Sequence, residues 1–170
     1  KNETPILQSF SKEQLSLADV EKLIDVSWFD ETATTLHIKD VAQFYGFQFL
    51  SQAYSFSGQI LFLDADLTLN SGDAQTWEKN APKREWAPIG RHVNEAGKTI
   101  GVVFAGTFDG QGHTISGIYM SIDSTKAFAY GMFGKTSGTI KNLSLKNSYI
   151  GGTAGGNVGS VAASFAGGKM

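Results

Sequence analysis

Residues 104–120, FAGTFDGQGHTISGIYM, set Gly106, Gly110, Gly112 and Gly117 and a single histidine, His113, between short apolar runs. A glycine-rich loop of this kind suggests a phosphate cradle, a metal or acid–base pair, or a turn. A dinucleotide fingerprint needs a strand, then G-x-G-x-x-G, then a helix whose N-terminus meets the anion. Here the residues after the glycines, TISGIYM, read as another strand, so no helix N-terminus is available. The reading is a turn. Glycine supplies the positive φ angles and the close backbone approach that tight corners demand. Asp109 is expected to bond the turn amides through its short carboxylate. His113 is expected to satisfy nearby backbone or pack at an edge.

The same texture recurs downstream. A shift of about 25 residues aligns Gly106 with Gly131, Phe108 with Phe133, Ile115 with Ile140 and Met120 with Leu145. Gly134 and Gly138 then replace Asp109 and His113, so the repeat does not need an acid–base pair there. A further copy starts at Gly159 and is expected to be cut short by the end of the chain. Periods of this length belong to solenoids, in which each unit is too small to enclose its own core. Leucine-rich repeats share the period, but their asparagine frame, hinted at in IKNLSLKNS, is missing from ISGIYMSID. The pattern favours a mostly β chain: a right-handed parallel β-helix (solenoid) with an N-terminal α-helical capping segment.

Upstream, SKEQLSLADVEKLIDVSWF and KDVAQFYGFQFLSQA carry helical spacing, with Ser16, Asp19 and Asp40 as candidate caps. The helical region, residues 1–55, is expected to close the end of a solenoid formed by residues 56–170, in one unit with it. Phe44, Tyr45, Phe47 and Phe49 would serve as the plug. TLHI and GQILFLDADLTLN read as strands, the second with Phe62, Asp64, Asp66 and Thr68 on its solvent face. Residues 71–103 form a long polar excursion holding Trp77, Trp86 and His92.

Composition narrows the function classes. A formal charge of −2 without a basic cluster argues against nucleic acid or an anionic membrane as partner. No window is apolar enough for a transmembrane helix. The absence of cysteine removes disulfides, thiolate metal sites and a cysteine nucleophile.

Taken together, FAGTFDGQGHTISGIYM, YGMFGKTSGTIKNLSLKNSYIGG and GGNVGSVAASFAGG resemble bacterial surface proteins with the GLUG motif. LHIKDVAQFYGFQFLSQAYSFSGQILFLDADLTLN and WAPIG resemble the lead-in of that family. The resemblance covers roughly residues 35–168. It implies a right-handed parallel β-helix, export to the cell envelope, a larger adhesin-like parent protein, and no catalytic residues.

The expected function is therefore non-catalytic: a module of a secreted or cell-surface bacterial protein, acting in adhesion or as a platform. Host or cell-wall glycans or proteins are the expected partners, with no cofactor and no metal. Binding candidates are Trp77 and Tyr119, as ring platforms, and Asp64 with Asp66, two carboxylates on one strand face. The same two carboxylates define the alternative, a fragment of a polysaccharide-active β-helix enzyme.

Overall fold

The computed structural model describes residues 23–90, 92–93, 99–122, 129–152 and 156–167. Of the helix expected over residues 11–29, residues 11–22 lie outside them, and among the rest only Leu23 is helical. Strands dominate the remainder, and all but one of their pairings are parallel.

The chain enters through β1 (Thr35–Ile38) and turns into α1 (Val41–Leu50). Asp40 caps that helix, accepting from Gln43 N at 2.9 Å. Phe44, Tyr45, Gly46, Phe47 and Gln48 are all buried, so α1 is embedded rather than amphipathic. Phe49, expected in the plug, is only half-buried, and Phe47 takes the central place. Its ring stacks on Phe108 at 5.7 Å and meets Phe56, Phe104 and Phe133 edge-on. A side chain at Gly46 would strike the Asp25 carbonyl and crowd the Trp28 ring, so glycine there lets the loop before β1 cross α1.

β2 (Ile60–Leu63) pairs with β1. The expected continuous strand from Phe62 to Leu69 is instead broken at a corner, and the chain resumes as β3 (Leu67–Thr68). Leu61, Leu63, Leu67 and Leu69 stay buried on both sides of the bend, which is why the alternation looked unbroken.

From Thr107 the strands follow in two series of five. β6 (Thr107–Asp109), β7 (Thr114–Ser116), β8 (Tyr119–Ile122), β9 (Ala129–Tyr130) and β10 (Phe133–Thr136) form the first. β11 (Thr139–Lys141), β12 (Ser144–Lys146), β13 (Tyr149–Gly152), β14 (Asn157–Val158) and β15 (Ala162–Phe165) form the second. Each member of the second lies parallel to its counterpart in the first. Upstream, β2 pairs with β6 and β3 with β7, giving the orders β1-β2-β6-β11 and β3-β7-β12.

The repeat has a different offset from the one read in the sequence. Phe108 pairs with Ile140 (108 to 140) and Ile115 with Leu145 (115 to 145), rather than with Phe133 and Ile140. FDGQGHTI and FGKTSGTI are both strand–glycine turn–strand units, but their strands pair with different partners: β6 with β11, β7 with β12 and β10 with β15. The stretch at Gly159 belongs to the end of the second series, where Ala162 pairs with Phe133.

The excursion of residues 71–103 is also divided. Trp86 N donates to Tyr119 O at 2.8 Å, and Ile89 bridges to Phe133 in parallel. Trp86 stacks on Phe44 at 5.2 Å, while its indole donates to Met132 O at 3.1 Å. Residues around 85–89 thus return to the core between two loops. The second loop carries the antiparallel pair β4 (His92–Val93) and β5 (Thr99–Ile100).

Candidate functional site

The polar candidates gather along the corner between the β1-β2-β6-β11 sheet and the β3-β7-β12 sheet. The loop of Asp109 to His113 turns there. Gln111 and Gly112 have positive φ, 51° and 85°. Asp109 Oδ1 accepts from Gln111 N at 3.0 Å, as the sequence suggested. Its side chain also holds the next strand, accepting from Asn142 Nδ2 at 3.0 Å and pairing with Lys141 Nζ at 3.1 Å. Burial alone would raise the Asp109 pKa; the bonds from Asn142, Gln111 and Lys141 outweigh it and hold the carboxyl below its ordinary value.

His113 does not face Asp109. Its Nδ1 lies 3.0 Å from Asp66, which also accepts from Thr114 N at 2.9 Å. The Thr114 amide, then His113, keep the Asp66 carboxyl below its ordinary range. Asp64 has a separate set of partners. Its oxygens lie 2.9 and 3.0 Å from His37 Nδ1, and Oδ1 accepts from Gln111 Nε2 at 3.0 Å. The two acids therefore do not converge on one point: each ties its corner to a neighbouring strand. Among the described residues no group of three or more His, Asp or Glu side chains is arranged to hold a metal.

Trp77 and Tyr119 do come together, but not as exposed platforms. Trp77 is 3% and Tyr119 9% exposed, with their rings edge-to-face at 6.1 Å. Tyr149, directly in register with Tyr119, stacks on it at 5.6 Å. Trp77 thus anchors its loop to the strands. The physical reason is Asn147, which accepts from Ala74 N at 3.0 Å and donates to Gly72 O at 2.7 Å, drawing the loop inward.

His37, Gln111, Asn142, Asn70 and Asn147 were not singled out in the sequence. The usable signal was positional, since Asn142 and Asn147 both end a strand and both adopt positive φ, 53° and 43°. Asn70, buried, donates to Gly117 O at 2.9 Å and Arg84 O at 2.8 Å across the same corner.

No family model and no solved structure matches the chain. Halomucin of Haloquadratum walsbyi is 38% identical over 82 residues, which is 47% of this chain and 1% of that protein. No helix among the described residues is long and apolar enough to cross a membrane.

Proposed function

We propose that this chain contributes coils of a right-handed parallel β-helix and serves as a non-catalytic module of a secreted or cell-surface protein, in adhesion or as a platform, of the kind the GLUG resemblance implies. The observation that carries the reading is the one-to-one parallel pairing of β6–β10 with β11–β15. Repeated strands and corners of this sort make a rod whose interior is filled and whose outside is free to vary. The likeness to Halomucin, a mucin by name, is compatible with a place at the cell surface.

The corner carboxylates support a structural role. A general acid for glycoside cleavage needs a raised pKa. Asp66 and Asp109 are held low, and Asp64 is engaged by His37 and Gln111. The test is incubation of the purified chain with pectins and a panel of host and cell-wall glycans. The expected result is retention on a glycan, or none, without product release. Product release abolished by Asp64→Asn or Asp66→Asn overturns the proposal in favour of a polysaccharide-active enzyme.

A further inference from the structure

We propose that the cleft between residues 28–33 and the start of β1 is a binding site for a guanidinium group, of which an arginine side chain is the simplest form. The cleft is open and holds about 330 Å³, with Trp28, Asp30, Thr35, His37, Lys39 and Gln43 among its lining. That volume lies at the small end of ligand pockets and suits one group of side-chain size.

The walls are already fixed. Trp28 Nε1 donates to Asp25 O at 2.8 Å, so the indole has spent its single donor and offers the cleft ring surface alone. Gln43 is engaged as well, donating to Asp25 Oδ2 and accepting from the Lys39 amide at 2.9 Å. Gln59 Nε2 holds the loop by donating to Asp30 O at 3.2 Å and Ala33 O at 2.8 Å. The Thr32 amide and hydroxyl pin the Asp30 carboxylate through Oδ1, at 2.8 and 2.7 Å, which leaves Oδ2 as an acceptor. A preformed wall reduces the ordering cost of binding.

Charge selects a cation. The Thr32 hydroxyl, then its amide, hold the Asp30 carboxyl below its ordinary range, and Ser27 does the same for Asp25 at the Gln43 wall. Asp64 faces His37 and answers any charge on that ring. Lys39 opposes, but its exposed ammonium rides on a flexible stem that can swing into solvent, whereas Asp30 is pinned. A ring beside a fixed carboxylate suits guanidinium better than ammonium. The planar, weakly hydrated fork stacks on an indole, while the compact ammonium keeps its water. The lining runs from Trp28 to Gln43 and owes nothing to the handedness of the stack or to where the parent protein resides.

The test titrates the full chain with N-acetyl-arginine amide and follows tryptophan fluorescence. The citrulline analogue, of the same shape without the charge, and the lysine analogue are run beside it. Trp77 and Trp86 are each 3% exposed, so the half-buried Trp28 is the indole that a soluble ligand reaches. The expected result is a saturable change with arginine that is absent from Trp28→Phe. Citrulline should bind about tenfold more weakly or worse. Asp30→Asn should weaken arginine binding severalfold and Lys39→Gln should tighten it, both with the melting temperature unchanged. Absence of a saturable signal overturns the proposal, as does citrulline or lysine binding as tightly as arginine. A Lys39→Gln variant that binds arginine no tighter than wild type also overturns it, because the field of the cleft would then not select a cation.

Discussion

Phe108 lies in register with Ile140 on the adjacent parallel strand, while Phe133 meets the Phe108 ring at 5.8 Å from another wall of the same core. Contact and register are thus separate facts in this protein. Phe44, Phe47, Phe56, Phe104, Phe108 and Phe133 fill the interior, and α1 delivers the central member of that group.

Phe47 is fully buried and touches five other phenylalanine rings. Phe47→Ala should cost about 3–5 kcal/mol, the range for deleting a large core ring. Phe49→Ala, at a half-buried position, should cost clearly less. Denaturant unfolding of the two variants checks the order, and equal losses would remove Phe47 from the centre of the core.

Gly112 and Gly117 both have positive φ, 85° and 82°. A methyl group on Gly112 meets open space, whereas one on Gly117 collides with the Asn70 backbone. Gly112→Ala should therefore cost about 1–2 kcal/mol for the left-handed backbone alone, and Gly117→Ala considerably more. Similar melting temperatures for the two variants would show that the strands are not so closely stacked at that corner.

Asp109 titrates below its ordinary value in the folded chain. A depressed folded pKa contributes stability that is fully present above the unfolded value and is lost as pH falls through the folded one. Asp66 acts with the same sign. The stability difference between wild type and Asp109→Asn should narrow as pH is lowered from about 6 to below about 4. Urea midpoints across that range provide the check; a constant difference would contradict it.

Trp77→Ala should lower stability, because the indole is buried against Tyr119. It should not selectively remove a glycan-binding activity. A loss of glycan retention with an unchanged melting temperature would restore Trp77 as a binding platform.

Much of the strand content was legible because apolar residues alternate and glycines mark corners. Asp40 as helix cap and Asp109 as turn residue were legible for the same local reason. The offset was not, since Phe108–Ile115 and Phe133–Ile140 use the same strand–glycine–strand chemistry although their strands are not paired with each other. The bend at Asp64–Asp66 was hidden because it preserves the parity of buried leucines. Pairings such as His37 with Asp64 and His113 with Asp66 were out of reach of local patterns, joining residues 27 and 47 positions apart.

The most direct test of the stacking is a set of nuclear Overhauser contacts between backbone protons of isotope-labelled protein. Contacts between Phe108 and Ile140, Ile115 and Leu145, Met120 and Ile150, Tyr130 and Val158, and Phe133 and Ala162 are predicted together, in the parallel pattern. Backbone contacts pairing Phe108 with Phe133 and Ile115 with Ile140, or an antiparallel pattern at any of the five, would contradict the account.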